Sequence, residues 1–220
     1  MYDSVQAAWM SFNSRLEGFL PYLYLDILGY VTCGMGNLVD PVSMALSLPW
    51  LTSSGDPADQ ATITAAWHAV DACRSDPKGK RQTSGLATKY GQAFASVTAI
   101  RLSEDGIQQL IDRQVAANEL ELRKHFTAYD TMPADGQMAI NSMAWAMGAG
   151  FPAMFKTFTA AVNAGDWATA LANADFRGAG VATRIAANKV MLANAGQVAA
   201  QGLDASELHY PAVLGPVDAA

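Results

Sequence analysis

Residues Arg15 to Leu38 read RLEGFLPYLYLDILGYVTCGMGNL, and this stretch decides how the rest of the chain is read. It puts one carboxylate, Glu17, near the end of an amphipathic segment. A second, Asp26, stands in a turn before a Gly-punctuated β segment that carries Thr32. Glu17 and Asp26 are nine residues apart, and Asp26 and Thr32 six. Two carboxyl groups on different elements can keep different environments, so that one stays protonated as a general acid while the other stays ionised. Glycoside hydrolysis has this requirement: an acid protonates the leaving oxygen and a carboxylate across the bond directs water. The Thr32 hydroxyl can hydrogen-bond that water.

Upstream, Val5, Ala8, Trp9, Phe12, Leu16, Phe19 and Leu20 recur at spacings of three and four, which predicts one apolar helix face over residues 3–20. Glu17 follows Leu16, about 100° round such a helix, so it is expected to border the core and be partly buried. Burial raises a carboxyl pKa and suits an acid catalyst. Tyr22–Leu25 and Tyr30–Cys33 read as two short strands. Gly34 and Gly36 permit the turn that follows.

Glu17, Asp26 and Thr32, with Leu16-Glu17-Gly18, Gly34-Met35-Gly36 and the run Gly29 to Leu38, resemble the Glu, Asp, Thr triad and Gly-x-Gly turn of phage-type lysozymes, the T-even endolysin family. The resemblance covers roughly residues 3–38 and 100–195. It implies an α+β, mainly helical, lysozyme-like two-lobed fold: a small β-containing N-terminal lobe, a long linking helix and a helical C-terminal lobe. The expected division is a catalytic lobe over 20–100 with an enlarged insertion at 40–100, a linking helix at 103–126, a helical lobe from 1–19 and 130–201, and a tail at 202–220. The chain departs from the family at Asn37, where the family has a histidine, and at Ala146, where it has a polar Asn or Gln.

Hydrophobic residues make up 51% of the 220 and charged residues 15%, which excludes a disordered chain or a coiled coil. Abundant alanine favours helix. The net charge of −6 argues against nucleic acid as a partner, because backbone recognition needs clustered cations. Nine of the fourteen Lys and Arg residues lie between Arg74 and Lys124 against six acids, so this segment carries +3 and the rest −9; a solvated face is the expected reading. No apolar stretch approaches the length of a membrane span and no signal peptide is evident. A partner such as peptidoglycan must then be reached by holin release, virion delivery or injection by a secretion machine, and an immunity protein could cover the site. Neither metal nor organic cofactor is called for.

In the central region, Val42–Leu48 and Ala61–Cys73 read as helices, and Asp76–Arg81 as an exposed turn. His68 has no second metal-ligand residue at useful spacing and reads as an ordinary surface or packed histidine. Cys33 reads as a small packed residue; pairing with Cys73 is conceivable in an oxidising compartment. Ser103 is placed to cap a long helix with an apolar stripe from Ile107 to Phe126. Pro133 opens a helix that is apolar almost all round as far as Gly148 and belongs at the centre of a lobe. It resembles the family's central helix at Ser142, Trp145 and Gly148. Trp145 is a candidate sugar-stacking residue, with ordinary core as the competing reading, and Asn37 a second candidate substrate contact. Phe155–Phe158 opens another helix, Asp166 caps the next, and a final helix carries Arg184, which reads as structural. The Pro-containing tail from Gly202 has no periodicity.

The expected activity is a muramidase, a glycoside hydrolase cutting the β-1,4 bond between N-acetylmuramic acid and N-acetylglucosamine. The resemblance assigns Glu17 as acid, Asp26 as the carboxylate and Thr32 as the water-positioning residue. Water attack from the far side gives inversion; Asp26 close enough to act as nucleophile gives retention. A lytic transglycosylase, which needs only the Glu, and a non-catalytic wall-binding or virion structural module are the alternatives.

Overall fold

The structure is a computed structural model and describes residues 1–26, 28–74, 91–178 and 181–215. Along the chain run α1 (Asp3–Glu17), β1 (Leu20–Leu25), β2 (Val31–Gly34), β3 (Asn37–Leu38), α2 (Val42–Ala45), β4 (Trp50–Leu51), α3 (Gln60–Asp71), β5 (Arg101–Leu102), α4 (Glu104–His125), α5 (Ala134–Met147), α6 (Lys156–Asn163), α7 (Trp167–Ala172) and α8 (Ala182–Gln201). Single 3-10 turns stand at Gly91–Phe94 and Phe151–Ala153. The fold is mixed α+β, mainly helical, with small antiparallel sheets. It divides into two compact units, one of Met1–Leu16 with Val115–Ala220 and one of Glu17–Gln114, so that one boundary falls inside α4.

The unit Glu17–Gln114 is built on the sheet β1-β2-β3. Tyr24 opposes Thr32, Leu25 opposes Val31, Thr32 opposes Leu38 and Cys33 opposes Asn37, with an irregularity between Leu20 and Tyr24. Strand alternation turns Leu25, Val31, Cys33 and Asn37 to a buried face. Helix α3 packs on β1 and β2, and Trp67 Nε1 donates to the Val39 carbonyl at 2.8 Å. The turn Gly91–Phe94 packs on β1, and β4 pairs with β5 through Trp50 opposite Leu102. Ser103 Oγ accepts from Gly106 N at 3.1 Å, capping α4 as its sequence implies.

Helix α1 ends at Glu17, three residues short of the predicted stretch, because Gly18 takes φ +74° and turns the chain out of the helix. Helix α2 is likewise shorter than Val42–Leu48. Cys33 is buried and Cys73 half-exposed, both as free thiols, so the conceivable disulfide is not formed. Asp76–Arg81 lies outside the described residues. Of the cations between Arg74 and Lys124, Arg74 pairs with Asp71, Arg101 lies over the Tyr22 ring, Arg123 pairs with Asp130 at 2.8 Å and Lys124 pairs with Glu121. Each of these four cations is held by a local partner.

In the other unit, α5 is buried from Ala134 through Ala144 and packs against α8. Its polar residues find partners inside: Gln137 Nε2 donates to the Tyr129 carbonyl at 2.7 Å and Gln137 Oε1 accepts from Tyr2 N at 2.8 Å. Gly136 lets the Trp167 ring approach, since a Cβ there would stand 2.6 Å from it. Arg184 is buried and donates to Ser142 Oγ at 3.0 Å and to Asn13 Oδ1 at 2.9 Å, tying α8 to α5 and α1. Asp166 caps α7 by accepting from Thr169 N at 3.0 Å, and Gly148 caps α5. The aperiodic tail is held as far as Gly215 by side chains, among them Asp135 and Asn194.

Candidate active site

Glu17, Asp26 and Thr32 all belong to the unit Glu17–Gln114. Glu17 is the last residue of α1 and is exposed, so the partial burial expected from its place beside Leu16 is not present. The helix gives way at Gly18, which takes φ +74°.

Asp26 closes β1. Its Oδ1 accepts from Leu28 N at 2.8 Å and Tyr30 N at 2.9 Å, while its backbone N–H donates to the Tyr30 carbonyl at 3.0 Å. Asp side chains favour such turns because a short carboxylate reaches its own following amides. One oxygen is therefore committed to the turn, and Oδ2 is left without a protein partner among the described residues. Thr32 is 2% exposed, and its Oγ1 donates to the same Tyr30 carbonyl at 3.1 Å. That bond uses the hydroxyl proton and leaves the oxygen free to accept. The Tyr30 backbone thus binds the carboxylate through its N–H and the hydroxyl through its carbonyl.

Tyr24 joins this group, and reading the sequence for acids and hydroxyls missed it. It lies directly across from Thr32 and two residues before Asp26, in phase with it along β1. Its phenol is pushed well above the ordinary tyrosine range, first by burial, then by the charge Cys33 would carry and by the carboxylates of Asp26 and Glu17. Both carboxylates therefore act on one phenol. The alternation of Tyr24 with Asp26 was the available signal.

Asn37 does not stand with these residues. It is 4% exposed on the opposite, buried face of the sheet, where its Oδ1 accepts from Met35 N at 3.1 Å. Gly34 at φ +65° and Gly36 at φ +85° make the hairpin turn that this bond secures, and a Cβ on Gly34 would stand 2.8 Å from Asn37 Oδ1. The structure assigns Asn37 to the turn in place of a sugar contact. Trp145 belongs to the other unit, where it is half-exposed and meets Trp9 edge-on with ring centroids 5.7 Å apart. His68 stands edge-on to Trp67 at 5.3 Å, and among the described residues no group of three or more His, Cys, Asp or Glu could hold a metal ion. Among the same residues no helix is long and apolar enough to cross a membrane.

Asp26 and Thr32 are thus both anchored on the backbone of Tyr30. Glu17 can supply a proton from an exposed position on a separate element. No protein-family model matches the chain, and no curated protein sequence matches it.

Proposed function

We propose that this protein is a muramidase with a lysozyme-like two-lobed fold, hydrolysing the β-1,4 bond between N-acetylmuramic acid and N-acetylglucosamine in peptidoglycan. The observation that carries this reading is the Tyr30 backbone, whose N–H holds Asp26 and whose carbonyl holds Thr32 while Asp26 Oδ2 is left unpartnered among the described residues. The boundary inside α4 supports the two-lobed reading.

In this mechanism Glu17 gives its proton to the glycosidic oxygen as the bond to the anomeric carbon breaks. A water held by Asp26 Oδ2 and Thr32 Oγ1 adds to that carbon and passes its proton to Asp26. A polysaccharide laid over the exposed Glu17 would exclude water from it. Delivery to the wall by holin release, a virion or a secretion machine is part of the same proposal.

The test is release of reducing ends from purified peptidoglycan by wild type, Glu17→Gln, Asp26→Asn and Thr32→Val. The account expects each substitution to lower the rate, Glu17→Gln by about two to four orders of magnitude. The anomer first formed, read by NMR, separates inversion from retention. Wild-type rates in Asp26→Asn and Thr32→Val would remove the pair from the mechanism.

A further inference from the structure

Helices α1 and α8 of the helical unit, with the tail, line a cavity of about 500 Å³, a volume in the range of small-molecule sites. Ala8, Phe12 and Arg15 border it from α1, and Thr183, Ala187 and Val190 from α8, so each helix offers one face at positions i, i+4 and i+7. Each row runs about 10 Å along its helix. The fully buried Met138 of α5 lies beneath, and the tail adds Tyr210, whose ring meets Phe12 edge-on at 5.6 Å.

The polar groups of the two rows meet at one end. Arg184, next to Thr183, donates to Asn13 Oδ1 at 2.9 Å, and Asn13 stands two positions before Arg15, so the Arg15 and Thr183 ends are brought together. Away from that end the walls are Ala8 and Phe12 on one side and Ala187 and Val190 on the other. Ser11, on the same face of α1, spends its proton on the Ala8 carbonyl at 3.1 Å. Among the described residues, the Arg15 guanidinium and the hydroxyls of Thr183 and Tyr210 have no protein partner. A guanidinium fork with unspent donors matches a carboxylate, and a narrow aliphatic slot leading from it matches an unbranched alkyl chain. With a net charge of −6 the chain does not draw anions from a distance, so recognition rests on Arg15 at contact.

We propose that this cavity binds a medium-chain carboxylate, its head group paired with Arg15 and hydrogen-bonded by Thr183, its alkyl chain laid along Ala8, Ala187 and Val190 over Met138. The site belongs to the helical unit and stands whether or not the protein is a muramidase. Arg15→Gln is the discriminating variant, since Arg15 is exposed and the change removes its charge without opening the core. Ala186→Phe, at an exposed lining position of α8, fills the slot and serves as the second.

The experiment is calorimetric titration of the full chain with decanoate and with uncharged decanol, for wild type, Arg15→Gln and Ala186→Phe, with the thermal midpoint of each. Wild type is expected to take decanoate at one saturable site and more tightly than decanol. Arg15→Gln should weaken decanoate about tenfold to a hundredfold, as for loss of a charge-assisted pair, and leave decanol unchanged. Ala186→Phe should lose both ligands. If that variant fails to fold, amide shift changes at Ala187 and Val190 on titrating wild type locate the alkyl chain in its place. Absence of saturable decanoate binding, equal affinity in Arg15→Gln, full binding by a folded Ala186→Phe, or shift changes confined to other residues would each overturn the inference.

Discussion

Replacing Asp135 with Ala removes the group that fixes the tail to the helical unit. Asp135 is fully buried in the first turn of α5, and its carboxylate accepts from Asn194 Nδ2 at 2.9 Å, His209 N at 2.9 Å and Tyr210 N at 3.0 Å. Asn194 extends the clamp by accepting from Leu214 N and donating to the Ala212 carbonyl, both at 2.9 Å. In the Ala variant two backbone N–H groups and one amide hydrogen lose their acceptor, at about 1–3 kcal/mol each while they stay buried. The carboxylate also no longer needs to be desolvated, which brings the net loss to about 3–5 kcal/mol. The tail can limit that loss by peeling into water, giving up contacts such as the edge-on meeting of Tyr210 with Phe12 at 5.6 Å. For a chain of this size the midpoint should fall by about 6–20 °C. Hydrogen exchange supplies the local readout: the His209 and Tyr210 amides should lose protection while the interior of α5 keeps it. Asp135→Asn should fall between, because its amide faces at least one N–H donor to donor. A wild-type midpoint in Asp135→Ala, with both amides still protected, would refute the reasoning.

Gly136→Ala reverses the usual sign for a glycine inside a helix: the added Cβ would stand 2.6 Å from the Trp167 ring, so urea unfolding should give a loss of about 1–3 kcal/mol in place of the ordinary gain. A more stable variant would contradict that packing. Both thiols are pushed up by burial, Cys33 furthest, so maleimide should label Cys73 in the folded protein at a rate that climbs with pH, and should reach Cys33 only on unfolding. Equal labelling of the two in the folded protein would contradict it. Cys33, Tyr24 and Tyr129 all hold their protons more tightly folded than unfolded, chiefly through burial. Their contribution is complete below the unfolded thiol pKa of about 8.5 and declines as pH rises, by up to about 1.4 kcal/mol per pH unit for each ionising group. Denaturation curves at rising alkaline pH should show that decline, and a flat profile would argue against these burials.

The helices were legible because local chemistry marks their ends. Ser103, Asp166 and Gly148 each cap where the sequence places them, and the nearly all-apolar run after Pro133 is the most buried helix. Gly18 overrode an apolar spacing that continued to Leu20, since a left-handed residue ends a helix whatever follows. Within the candidate site, residue types pointed to Glu17, Asp26 and Thr32, but exposure and facing depend on partners distant in sequence. Asn37 reads as an exposed polar residue until β2 and β3 pair and turn it inward. Tyr24 reads as one of several strand aromatics until Gly91 packs on its ring and β2 sets it across from Thr32. The tail was opaque because no apolar period holds it; Asp135 and Asn194, some 60 residues apart, do.

The central claim is hydrolysis of the glycan with Glu17 as the acid, and mass spectrometry of the muropeptides released from purified peptidoglycan tests it most directly. Wild type should release fragments with reducing-end muramic acid, and Glu17→Gln should release about two to four orders of magnitude fewer. Anhydro-muramic ends would contradict hydrolysis, and equal release by both forms, or none by either, would contradict the assignment of Glu17.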